Sequence, residues 1–225
     1  TGAFALLVAI AAGRYLRRGR LDAAGGCLFG IAALTRPEGW LFFALTGLHQ
    51  ATATVVRRQP RRRVLDLWPA AAPFAAFVLP HLLFRLVYYG YALPNTFHAK
   101  TGISLTYVHH GLRYTAEFLV DYGFWGLAPL SLALLTSRAR TRPAATYLAL
   151  LVFANATYVT LVGGDTLPEH RLYLPVVALL NVGVVEAVRA ASLRLLGRHR
   201  APLAGAALLL AMAARTATGA DDDLL

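Results

Sequence analysis

A small set of residues offers most of the chemistry in this sequence outside its arginine clusters. They are Arg36, Glu38, Asn95, His98, Lys100, Asp165, Glu169, His170 and Arg171. Cations mixed with carboxylates suit a substrate that bears phosphate, together with a group that handles a hydroxyl proton. Lys100 stands out because it is the one lysine among 22 Lys and Arg residues. It is either a point charge for a phosphate or an ordinary wet-loop lysine. Arg171 either pairs with Asp165 or Glu169 as a loop clamp, or binds phosphate. Asp165 follows Gly163 and Gly164, which let the backbone turn tightly near a ligand; it either orients a ligand hydroxyl or caps the next helix. Arg36 and Glu38 are placed to bond each other across a tight connection. His98 reads equally as a phosphate contact and as an interfacial residue. His109-His110 and the Asp165, Glu169, His170 group raise a metal reading, but their spacings match no strong zinc pattern, and no metal is assigned.

The elements that position these residues are apolar. Hydrophobic residues make up 57% of the chain and charged residues 15%, and mean hydropathy is +0.54. A soluble domain is nearer 45–50% apolar and about 25% charged. The expectation is an all-α, polytopic transmembrane bundle of about seven to eight spans. Apolar runs fall at about 1–13, 21–35, 38–56, 64–88, 123–137, 143–162, 172–190 and 201–214. The run at 21–35 is rich in glycine and alanine, which lets neighbouring helices approach closely. At about 22 Å it falls short of a roughly 30 Å hydrocarbon core. Thr35 is a possible N-cap for the next helix, with Pro37 in its first turn. Pro69, Pro73 and Pro80 predict kinks in the run at 64–88. Residues 89–122 read as an outer loop. Within it, Leu105, Val108, Leu112 and Leu119 recur at helical spacing with Tyr107, Tyr114 and Phe118 nearby, which predicts an amphipathic interfacial helix over 103–120. The transmembrane domain is expected over 1–215 and an acidic disordered tail over 216–225.

Charge placement supplies the topology. The net charge of +11 sits in arginine clusters at 14–20, 57–63, 138–142 and 191–200. Placing all of them in the cytoplasm satisfies the positive-inside rule and puts 35–38, 89–122 and 163–171 outside. That pattern argues against nucleic acid as the partner and for a lipid bilayer. It predicts a multi-pass plasma-membrane protein with its polar site on the extracytoplasmic face. Tyr88, Tyr89 and Tyr91 then form an interfacial belt or a sugar platform. The lone Cys27 allows no disulfide framework and reads as packing. The sequon at Asn155 lies inside a span and carries no meaning.

Leu34-Thr35-Arg36-Pro37-Glu38-Gly39, then Tyr89-Gly90 through Leu93-Pro94-Asn95-Thr96-Phe97 to Ala99-Lys100, then Gly163-Gly164-Asp165 with Arg171 and Pro175, resemble the GT-C class of integral-membrane glycosyltransferases. The group most similar includes the mycobacterial terminal arabinofuranosyltransferases. The resemblance covers about 25–180. It implies a GT-C-like fold, a polyprenyl-phosphate sugar donor that enters sideways from the membrane, and a glycan or lipid acceptor on the outer face. Arabinofuranose is the sugar the resemblance points to, while mannose or another hexose fits the residues equally well. In that class an acidic residue in the first outer loop acts as general base. No such pair follows a first span here, so the base is expected upstream of Thr1, and these residues alone are expected to be inactive. Lys100, Arg171, His98 and Arg36 become candidates for the donor phosphate. Asn95, Asp165, Tyr89 and Glu38 become candidates for sugar or acceptor contacts. No cofactor is called for, and no P-loop or dinucleotide fingerprint is present. Two other readings fit the same composition, a transporter or lipid flippase and a non-catalytic scaffold. The charges gather in loops rather than at mid-span, and no internal repeat is visible, which argues against transport.

Overall fold

A computed structural model describes residues 1–56, 67–91, 105–136, 142–165 and 170–195. Lys100, His98, Asn95, Glu169, the arginine clusters at 57–63 and 138–141, the run at 201–214 and the acidic tail lie outside the described residues. Every described element is a helix: α1 Gly2–Arg18, α2 Ala23–Thr35, α3 Glu38–Val56, α4 Trp68–Tyr89, α5 Leu105–Asp121, α6 Phe124–Thr136, α7 Arg142–Val162 and α8 Leu174–Leu195. Trp68–Tyr89 and Pro143–Val162 are long and apolar enough to cross a membrane, while Ala23–Thr35 and Leu174–Val188 are apolar but shorter. At 13 residues, α2 and α6 each reach about 20 Å.

Small residues set the closest crossing. Gly26 and Gly30 lie one turn apart on the buried face of α2. A Cβ at Gly26 would fall on the Ala70 carbonyl, and one at Gly30 would meet the Phe77 Cβ at 3.2 Å. The α4 backbone therefore runs directly over α2, in the same direction, since Gly26 faces Ala70 and Gly30 faces Phe74. Close backbone approach of this kind gains dispersion contacts that larger side chains would block. Pro69 occupies the first turn of α4, where a missing N–H costs nothing. Only Pro73 and Pro80 are interior, so Pro69 starts the helix instead of kinking it.

The contacts sort the polar residues onto two ends. At one end, Arg14 and Arg18 bridge to Asp22, which also caps α2 through Gly25. Tyr15 bonds His49 at 2.7 Å, Gln50 accepts from the Leu21 N–H at 2.6 Å, and Tyr147 meets Thr46 at 2.8 Å. These bonds tie α1, α3 and α7 together beside the arginine cluster. Arg36, Glu38, Asp165 and Arg171 all lie at the opposite end. Beneath them one apolar core spans the helices from Phe4 to Val184.

Two local expectations change. Thr35 closes α2 and does not cap α3: its hydroxyl donates back to the Ala32 carbonyl at 2.7 Å, so it is spent on the preceding turn. The buried face of α5 is Gly111, Tyr114 and Phe118, whereas Leu105 is 90% and Leu112 55% exposed. A Cβ at Gly111 would come within 2.6 Å of the Thr160 Cα. The glycine thus lets α5 lie on α7, which turns Tyr114 and Phe118 inward and Leu105 and Leu112 away.

Candidate functional site

The site end is built from two ion pairs and an aromatic floor. The first pair bridges the connection between α2 and α3. Arg36 Nη2 donates to Glu38 Oε1 at 2.7 Å, and Arg36 Nε donates to Oε2 at 3.2 Å. The Gly39 N–H bonds the Arg36 carbonyl and the Trp40 N–H bonds the Pro37 carbonyl, so a tight turn holds both side chains on one side. The Glu38 side chain is only 7% exposed. Its second partner comes from far along the chain, the Tyr158 hydroxyl, which donates at 3.0 Å from α7. The Arg36 guanidinium also lies 5.7 Å from the Phe4 ring at the start of α1. Four helices thus meet at this pair.

The second pair closes the turn between α7 and α8. Asp165 is engaged by both Nε and Nη2 of Arg171, the latter at 3.2 Å. This fork geometry is the strong form of an arginine–carboxylate contact, and it holds the Arg171 guanidinium all the more firmly protonated. Gly163 and Gly164 make the turn possible. Their φ angles are 84° and 76°, a region costly for other residues. Neither has room for a side chain, because a Cβ would meet the Tyr107 ring at 2.7 Å or the Tyr114 Cβ at 2.9 Å.

Aromatic rings from α5 and the start of α8 form the floor. Phe118 and Tyr173 stack with centroids 4.0 Å apart, and Tyr114 lies 6.0 Å from Tyr173. The Tyr173 hydroxyl donates to Thr115 at 2.7 Å, and Thr115 meets Thr160 at 3.3 Å. Burial pushes the Tyr114 hydroxyl up to about 12, with Asp165 adding to the rise and the Leu172 backbone opposing it. That hydroxyl has no well-formed hydrogen bond among the described residues. Asn155, buried in α7, donates to the Leu172 carbonyl at 3.3 Å and fixes the entry to α8.

Below this floor lies an apolar cavity of about 480 Å³ between α5, α6, α7 and α8. Thr115, Phe118 and Tyr173 form its upper wall, and Val152, Leu179 and Val184 are among the residues lining its depth. Along α7 it runs from Ala156 to Ala145, about 16 Å at helical rise. Such a volume is within the usual range for small-ligand pockets, ~300–1,000 Å³.

The structure therefore brings Arg36 to Glu38 and Arg171 to Asp165, and sets both pairs at one end of α7. Tyr89 stands apart at the end of α4, packed on Tyr88 at 4.8 Å and facing Arg85 at 5.6 Å. No metal-holding group of three or more His, Cys, Asp or Glu occurs among the described residues. Sequence reasoning missed Tyr158, Tyr114, Thr115 and Tyr173 as members of the site. Tyr158 gives no local signal, since its partner is 120 residues away; the aromatic face of α5 was visible but was subordinate to the leucines.

No family model matches the chain, and no solved structure matches it. It is 32% identical over 169 residues to a terminal beta-(1->2)-arabinofuranosyltransferase of Corynebacterium glutamicum. The match covers 67% of this chain and 23% of that relative's length. The chain is thus similar, over part of its length, to a glycosyltransferase.

Proposed function

We propose that this chain belongs to a membrane glycosyltransferase that moves a sugar from a polyprenyl-phosphate donor to a glycan or lipid acceptor on the extracytoplasmic face. The observation that carries this reading is the stacking of two environments. Two cation–carboxylate pairs lie at one end of the bundle, and beneath the aromatic floor at that end begins an apolar cavity about as deep as one leaflet, roughly 15 Å. A lipid-linked phosphosugar needs that order, with its chain in hydrocarbon and its head among charges. The similarity to an arabinofuranosyltransferase points to arabinofuranose as the sugar.

The reaction is a displacement at the anomeric carbon. An acceptor hydroxyl attacks, a carboxylate takes its proton, and the polyprenyl phosphate leaves. Cations near the leaving oxygen stabilise the charge that grows there. In this proposal Arg171 and Arg36, with Lys100 and His98, serve the phosphate. Asp165 and Glu38, with Asn95 and Tyr89, serve the sugar or acceptor. Asp165 is committed to Arg171, which suits it to orienting a hydroxyl more than to taking a proton. No nucleotide is required for the step.

The test is sugar transfer by the full-length protein in proteoliposomes, supplied with polyprenyl-phosphoryl arabinofuranose and an arabinan acceptor. A product one sugar longer, formed only with the donor, supports the reading. Donor that crosses the bilayer without transfer would identify a flippase instead.

A further inference from the structure

His170 is the one described non-glycine residue with a positive φ, at 46°. Histidine reaches this region more often than most residues, but the conformation still carries strain of about 1 kcal/mol or more. Persistence of such a backbone means its surroundings over-determine it. Those surroundings are specific. The imidazole sits 4.8 Å from the Tyr114 ring, 5.9 Å from Phe118 and 6.0 Å from Tyr122. Its Nδ1 faces Asp121 Oδ2 at 3.9 Å, and the side chain is 14% exposed. A turn residue with no task beyond reversing the chain would leave its side chain in solvent. This one is driven under α5, beside the residue that holds Asp165.

We infer that His170 is a positioning residue for the transfer, its imidazole locking the 170–173 turn against α5 so that Arg171 is held in place on Asp165. The inference rests on the reading given under Proposed function. The lock is the packing of the ring: Tyr114, Phe118 and Tyr122 hold the plane of the imidazole from α5 and the residue after it. Arg171 follows directly in the chain, so a shift of His170 is passed on to the guanidinium. Misplacing a binding group by about 1 Å can cost on the order of 100-fold in rate.

Two variants separate the ring from the backbone. His170→Gly adopts the same φ without strain but has no ring. His170→Asn tolerates the same φ and likewise has no ring, but lacks glycine's backbone freedom. In the full-length protein in proteoliposomes, His170→Gly is expected to lower kcat by about 10-fold or more, with KM for the donor changed less than about threefold. Its thermal midpoint should stay within a few degrees of wild type, because relief of strain offsets lost packing. His170→Asn, which keeps the φ without the added freedom of glycine, should lose kcat to a similar degree, and wild-type kcat in that variant would assign the effect to the backbone and not to the ring. A His170→Gly enzyme with wild-type kcat would overturn the inference. The same variants carry a readout that needs no sugar transfer, cleavage by trypsin after Arg171. The wild-type turn should resist, since Leu172 and Tyr173 are buried, and both His170→Gly and His170→Asn should be cut faster. If wild type transfers no sugar, the functional reading fails while faster cleavage still supports the lock. Equal cleavage of all three forms sinks the lock itself.

Discussion

Removing Arg36 should cost far more than an exposed arginine normally does. Glu38 is 7% exposed on its side chain and Arg36 is 22% exposed. Arg36→Ala leaves a nearly buried carboxylate with one described side-chain donor, the Tyr158 hydroxyl. Orphaning a buried charge costs about 3–5 kcal/mol. The remaining tyrosine bond and the partial exposure of Arg36 place this case at the low end, about 3 kcal/mol. Glu38→Ala should cost less, about 2 kcal/mol, because the freed guanidinium can turn toward water. The double variant removes the orphan, so its cost should fall about 2 kcal/mol short of the sum. Reversible unfolding of the full-length protein in bicelles, followed by steric trapping, measures all three. Additivity within about 0.5 kcal/mol would refute the reasoning, because it would mean that Arg36 and Glu38 stabilise the end of the bundle independently.

Other perturbations reach different parts of the account. Gly26→Val should push α4 off α2 and cost more than about 2 kcal/mol, since the added atoms meet the Ala70 backbone and not a movable side chain; the same unfolding assay reads it. Asp22 is held at about 2, chiefly by the hydrogen bonds from Arg14. Its contribution, about 1 kcal/mol after solvent screening, is complete above about pH 4 and is lost as pH falls toward 2. Asp22→Asn should remove that acid limb from a stability profile. Ala149→Phe should fill the apolar cavity and lower transfer at least tenfold with the helices intact by circular dichroism; unchanged transfer would separate the cavity from the donor.

Much of the fold can be read along the chain, because it is written in local composition. The apolar run at 38–56 becomes α3 over the same residues, and the amphipathic stretch at 103–120 becomes α5 at Leu105–Asp121. The Arg36–Glu38 and Asp165–Arg171 pairs were also within reach, because each joins residues a few positions apart at a turn. What escaped were bonds across the bundle. Tyr147 with Thr46, His49 with Tyr15 and Tyr158 with Glu38 join different helices, and no periodicity within one helix records its neighbour. The inward face of α5 escaped for a related reason. Leu105 and Leu112 satisfy the same helical spacing as Tyr114 and Phe118, and only the bare backbone of Gly111 against Thr160 decides between the two faces.

The central claim is that the charged end and the apolar cavity form one donor site. Photo-crosslinking tests it most directly, using a polyprenyl-phosphoryl sugar with a diazirine near the phosphate end of its chain. The full-length protein should be labelled on the upper wall of the cavity, at residues such as Thr115, Phe118 and Tyr173, and excess unlabelled donor should abolish the signal. Labelling confined to the exposed outer face of α4, with the cavity untouched, would contradict the account.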